Sequence, residues 1–306
     1  MTPWCRRARA AAAVLTSLAC ACAGDATAPP PPPPPQTVPA FVFVADSDGH
    51  AQLFRFRHDT ITRLTHEAAN DVDPRSAAGR LVFSSDRDGN AEVYIADADL
   101  GAARRVTNSS ATDEEPALDP GGTTIAFTSN RSGTPRLWVI AAPAPTDTGA
   151  IYGVPAPLQT ASAEWVPERS PAWSPDGAHI AFASTRTGTS QLYVVPATGG
   201  AATQLTHESG GAFDPAWSAD GSALLYVTAT GAPRIRRVAT ATGAAADVAA
   251  DSIGIGDPSC DATLCLAATD PFGTRGTIVA LPATAEAERV IIATLPGARQ
   301  PAIIAP

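Results

Sequence analysis

Two stretches of the 306-residue chain place a histidine beside a carboxylate in the same context: His66-Glu67 and His207-Glu208 each follow Leu-Thr. This pair opens the zinc pattern His-Glu-x-x-His, in which two imidazoles on one helical face hold the metal and the glutamate acts as base. Neither stretch completes it, because Asn70 and Gly211 stand where the second histidine belongs. Both read as polar loops, with His66 and His207 as candidates for a metal or polar contact. Asp46-Ser-Asp48-Gly49 and Asp86-Arg-Asp88-Gly89 begin like a calcium loop but lack the closing glutamate, and read as hairpin turns. There is no Gly-x-Ser-x-Gly elbow for a nucleophilic serine and no glycine-rich phosphate cradle. No catalytic residue, resident metal or cofactor is therefore expected, and the chain reads as a binding module.

A different set of polar residues recurs with a period. Asp73, Glu115, Ser170, Asp214, Asp257 and Gln300 each precede a proline, and those prolines are 42, 55, 44, 43 and 43 residues apart. An independent series of hairpin glycines, Gly49, Gly89, Gly133, Gly188, Gly231 and Gly273, is spaced by 40, 44, 55, 43 and 42. Both series have six members and put one expansion in the third unit. A repeat of about 40–45 residues with four strands per unit is the signature of a propeller blade. The strands are legible in the fourth unit as Pro171-Ala-Trp-Ser, Ile180-Ala-Phe-Ala-Ser, Leu192-Tyr-Val-Val and Thr203-Gln-Leu-Thr206, with turns at Pro175-Asp-Gly and Gly188. Trp173 and Trp217 recur in the first strand, and Phe43, Phe83, Phe127, Phe182 and Tyr226 in the second, so these aromatics are assigned to the core.

The segments "PAWSPDGAHIAFAS", "SSDRDGNAEVYIADADLGAARRVT" and "DPAWSADGSALLYV" resemble the repeats of the TolB C-terminal propeller and its relatives, over most of residues 39–306. The resemblance implies an all-β fold: a six-bladed β-propeller of four-stranded antiparallel blades. It also places Asp73, Glu115, Asp214 and Asp257 at one mouth of the central channel, joined by Asp71, Glu114, Glu168 and Arg169. Such a mouth is predominantly acidic and would attract a basic or metal-bearing ligand, although an acid before proline also serves as a hydrogen-bond acceptor for the turn. By the same resemblance the expected role is non-catalytic binding of a peptide or envelope protein. The competing class is a carbohydrate-active, lyase-like propeller with a metal in the channel, for which five histidines without a ring pattern are poor material. In the third unit, Ala141 to Glu164 replaces a short connection, and Tyr152 and Trp165 are the residues there best able to anchor a partner.

The phase of the repeat indicates how the ring closes. The chain enters at Phe41-Val-Phe-Val as a second strand and ends with Pro301-Ala-Ile-Ile-Ala as a first strand, so the C-terminal strand is expected to complete the first blade and remove an open edge. Ahead of the repeats, Arg6, Arg7 and Arg9 precede the apolar run Ala10–Ala19, which is too short to span a bilayer and reads as a signal peptide over residues 1–22. Its end, Ser17-Leu-Ala-Cys20-Ala-Cys22, resembles a bacterial lipobox with Cys22 or Cys20 as the acylated residue. Residues 23–38 are a proline-rich linker whose seven consecutive prolines, Pro29 to Pro35, would extend roughly 22 Å as polyproline II. The expected product is a lipid-anchored monomer on the periplasmic side of a bacterial membrane, touching that membrane through its N-terminal lipid alone, or a soluble secreted or periplasmic protein where the signal is cleaved without lipidation. Cys260 and Cys265 flank one hairpin of the last unit and read as a structural disulfide rather than free thiols or a metal pair. A formal net charge of −9 argues against nucleic acid as a partner.

Overall fold

In the computed structural model, residues 38–101, 103–147, 153–163, 165–229, 233–248, 255–260, 264–269, 276–282, 290–294 and 298–304 are described. They belong to the unit Val38–Pro306. Their 24 strands form six four-stranded sheets, all antiparallel and each built from strands consecutive in sequence except the first. Blades 2 to 6 open with the innermost strands Asp71–Ala77, Asp113–Leu118, Glu168–Trp173, Ala212–Trp217 and Ile255–Cys260. Blade 1 takes its innermost strand, Arg299–Ile303, from the far end of the chain; it pairs with Phe41–Ser47 through Phe41 opposite Ile303 and Val42 opposite Ala302. The fold is thus the expected six-bladed propeller, closed by the expected strand.

The apolar runs of the second and third strands exist because a blade is covered on both faces by its neighbours. Along Leu81-Val82-Phe83, Leu81 and Phe83 pack with Val42, Val44 and Leu53 of blade 1, while Val82 packs with Ile125 and Phe127 of blade 3. The same alternation repeats around the ring, giving six clusters, one between each pair of neighbouring blades. Phe43, Phe83, Phe127, Phe182 and Tyr226 are fully buried, each contributing about 1.5–3 kcal/mol by burial. Trp173 and Trp217 have a second role, since each indole N–H donates to the inner strand of the preceding blade, at the carbonyls of Ala117 and Ala172 respectively, both at 3.0 Å. In blade 6 the corresponding position is Cys260, directly opposite Cys265 across the hairpin with Cα atoms 4.0 Å apart, and the two form a disulfide.

The expanded third unit is not all loop. Ala156–Pro157 pairs with Trp138 and Val139 as the outermost strand of that blade, and Leu158 is buried behind it. Two residues without a periodic pattern gave no strand signal in the sequence.

Candidate functional site

The residues before the marker prolines define one end of the channel. Asp73, Glu115, Ser170, Asp214 and Gln300 all have φ between 50° and 54°, a left-handed conformation disfavoured for side-chain-bearing residues. At each, the register of the inner strand against the second slips, leaving the marker residue and its proline outside the ladder. Proline suits a bulge because it has no N–H to leave unpaired. The repeated polar residue before proline, Asp, Glu, Ser or Gln, is therefore a bulge signature, and it turns the marker side chains towards one another.

These side chains link successive blades. Gln300 accepts the Asp73 amide at 2.9 Å, Asp73 Oδ2 accepts the Glu115 amide at 3.4 Å, and Glu115 Oε2 accepts the Ser170 amide at 2.8 Å. The Ser170 hydroxyl then donates to Asp214 Oδ1 at 3.2 Å. Glu115 also accepts from Thr128 Oγ1 at 2.6 Å, and Asp73 from Ser84 Oγ at 3.3 Å. The marker carboxylates thus accept hydrogen bonds from both neighbouring blades and from the second strand of their own blade. They enclose a cavity of about 710 Å³, within the size range of ligand sites.

The sequence placed eight residues at this mouth, and the structure divides them. Asp73, Glu115, Arg169 and Asp214 line the cavity. Glu114 stands beside it, 3.6 Å from Arg169, and burial together with the neighbouring Glu115 raises its carboxyl above the usual value. Asp257 lies on the inner strand of blade 6, next to the register slip between Gly256 and Ser259, and its side chain is outside the described residues. Asp71 and Glu168 are not channel groups. Both are fully buried at the outer start of their strands and held by arginines, Asp71 by Arg87 at 2.8 Å, Glu168 by Arg186 at 2.7 Å and Arg136 at 2.9 Å.

Those arginines belong to a repeated device that the sequence reading missed. In Ser85-x-Arg87, Ser129-x-Arg131 and Ser184-x-Arg186, the guanidinium bonds the serine hydroxyl and the buried acid that opens the same blade, with Asp113 as the partner in blade 3. Each arginine also lies over two aromatic rings, for Arg131 those of Phe127 at 5.4 Å and Trp138 at 4.9 Å. The signal was present as an acid two residues before the marker wherever the hairpin carries arginine. In blade 5, without that arginine, the acid is replaced by Ala212.

The mouth also differs from the acidic funnel expected. Among its described lining residues, Arg75, Arg169 and Arg299 match Asp73, Glu115 and Asp214 in number. One sector is apolar, with Pro167, Pro171, Val227 and a partly exposed Phe213. Trp165 is 78% exposed, two residues before Pro167, on a turn fastened by Arg136 to the Ala163 carbonyl. Tyr152 lies outside the described residues, as do Cys20 and Cys22. His66 and His207 are exposed on blades 1 and 4 and do not line the mouth. Their Leu-Thr-His-Glu context is explained by the threonines: buried Thr65 and Thr206 donate to Gln52 and Gln191, and accept the amides of Leu53 and Leu192. Among the described residues no three His, Cys, Asp or Glu side chains cluster as metal ligands.

Known proteins share this architecture. The profile of the TolB beta propeller domain matches residues 75–151 and 159–263, more than half of the chain. A TolB homologue of Chlorobaculum tepidum is 32% identical over 159 residues, covering 51% of this chain and 32% of that protein. Tricorn protease homolog 1 of Streptomyces coelicolor is 38% identical over 88 residues, 29% of this chain and 7% of that one. The matched segment thus spans about a third or less of these relatives' length. Among solved structures, TolB from Acinetobacter baumannii superposes with a TM-score of 0.71 at 17% identity, over 86% of this chain and 66% of that one. Hydrazine synthase of Kuenenia stuttgartiensis gives 0.71 at 13% identity, over 88% and 47%; at such identities the likeness is one of fold alone. The repeats, the bulged inner strands and the profile match lead to one assignment: the chain belongs to the TolB β-propeller family.

Proposed function

We propose that this protein is an exported, lipid-anchored component of the bacterial envelope whose propeller mouth binds a peptide segment of a partner protein without catalysis. Residues 1–22 act as the signal peptide with Cys22 or Cys20 acylated, residues 23–38 as a stalk, and residues 39–306 as a monomeric binding domain on the periplasmic side. The observation that carries the reading is the lining of the mouth cavity. It joins charges of both signs to an apolar sector around Phe213 and offers ring-facing carboxylates already oriented by neighbouring blades. A peptide has the matching mixture of backbone donors, charges and apolar side chains, and a preoriented surface lowers the cost of fixing it. Glu114 at the rim and Trp165 beside it are assigned supporting contacts.

Peptides tiling envelope proteins, titrated against the full-length chain by fluorescence anisotropy, test the reading. A binding peptide should lose about tenfold or more in affinity with Glu115→Gln or Phe213→Ala. Equal affinity in both variants would place the interaction elsewhere. For the anchor, labelled palmitate should enter the protein in cells and be lost on replacing the acylated cysteine by alanine.

A further inference from the structure

The channel contains a second cavity, of about 560 Å³, on the other side of Arg75. Arg75 is common to the lining of both cavities. It also breaks the repeat. The residue after the marker proline is Ala117, Ala172, Ala216, Ser259 and Ala302 in the other blades, small in every case, and all five line the second cavity. A single arginine at this position therefore stands where the two spaces meet.

The guanidinium is not neutralised there. Its hydrogen bond goes to the carbonyl of Pro74, at 3.0 Å, and it forms no ion pair with a carboxylate among the described residues. Asp73 and Glu115 line only the first cavity, where they bond to neighbouring blades. Among the described residues that line the second cavity, Arg75 is the one that carries a charge. Around it are Trp173, Trp217, Leu118, Ile303 and several prolines and alanines. A half-buried cation in an apolar chamber is unfavourable alone and becomes favourable when an oxyanion meets it.

We propose that the second cavity binds an apolar carboxylate, its head group on Arg75 and its hydrocarbon or aromatic body against Trp173 and Trp217. The site shares Arg75 with the mouth but does not require peptide capture there. A ligand with charge at one end and no other polar group matches a chamber with one charged residue at its inner end, and Arg presents the paired donors that a carboxylate accepts.

Tryptophan emission of the full-length protein in a Trp4→Phe, Trp138→Phe and Trp165→Phe background reports on Trp173 and Trp217. Titration with decanoate below its micelle threshold should give a saturable change, and 1-decanol and acetate should bind at least about tenfold more weakly, lacking the head group and the body respectively. Arg75→Ala should lose the same factor while keeping the wild-type unfolding midpoint, because alanine is the residue that four other blades carry. Arg75→Gln preserves side-chain length and should also lose binding. Absence of decanoate binding to the wild type, wild-type affinity in both Arg75 variants, or equal affinity for 1-decanol would overturn the proposal.

Discussion

Arg131 offers a measurable test of how the blades are held together. Its guanidinium lies 2.7 Å from Asp113, whose side chain is fully buried, and 2.9 Å from Ser129 Oγ, over the rings of Phe127 and Trp138. The replacement to make is Arg131→Thr, because Thr230 and Ala212 stand at the corresponding positions in the sequence of blade 5. The single change leaves a carboxylate in the core without its counter-ion and should cost about 3–5 kcal/mol at neutral pH. Adding Asp113→Ala removes the stranded charge and reproduces the blade 5 arrangement, so the double variant should recover at least about 2 kcal/mol relative to the sum of the singles. Urea unfolding of the four proteins, with the denaturant slope unchanged, supplies the cycle. Acidity gives a second reading. Burial pushes the Asp113 carboxyl above its ordinary value of 3.8, against the pull of Ser129 and Arg131. A raised folded-state value means that the folded protein takes up the proton first. Its contribution to stability therefore rises as pH falls through the folded value and is complete below 3.8. Without Arg131 that rise should be steeper, so the defect of Arg131→Thr should shrink on acidification from pH 7. Additive single costs together with a pH-independent defect would refute the reasoning.

Three further outcomes are expected. Replacing Cys260 and Cys265 by alanine, or adding reductant, should lower stability by about 2 kcal/mol, as a short closed loop allows; identical urea midpoints with and without reductant would count against a structural role. Deleting residues 299–306 should expose the Phe41–Ser47 edge and convert a protein with one cooperative transition into aggregating material, read by size-exclusion chromatography; an unchanged elution and melting profile would contradict the closure. Trp173→Phe keeps the ring packing but removes the donor to the Ala117 carbonyl and should cost about 1 kcal/mol by urea unfolding, whereas no loss would show that this tie between blades 3 and 4 is dispensable.

The architecture was legible in the sequence because the geometry restricts residue choice at fixed places. A left-handed bulge followed by a residue without an N–H writes a polar residue before proline into the chain, and tight hairpins write glycine. Charge alone was a poorer guide to the site. Asp71 and Asp73 are two residues apart and chemically identical, yet one is sealed under Arg87 and the other bonds across blades near the axis. Distinguishing them required the companion Ser-x-Arg hairpin, a correlation across 16 residues rather than a local pattern. The outer strand Ala156–Pro157 was invisible for a different reason, being too short for any period to show. Arg75 was visible throughout as the large residue in a column of small ones.

Pairing Arg299–Ile303 with Phe41–Ser47 joins segments about 250 residues apart in sequence, which sets an order of events during biosynthesis. Blades 2 to 6 complete their sheets from contiguous chain and can form as they emerge. Blade 1 cannot; its three early strands must wait for Arg299–Ile303, with the edge of Phe41–Ser47 open meanwhile. Ring closure is then a late step, and the interval before it is when a protease or chaperone would find this protein most accessible.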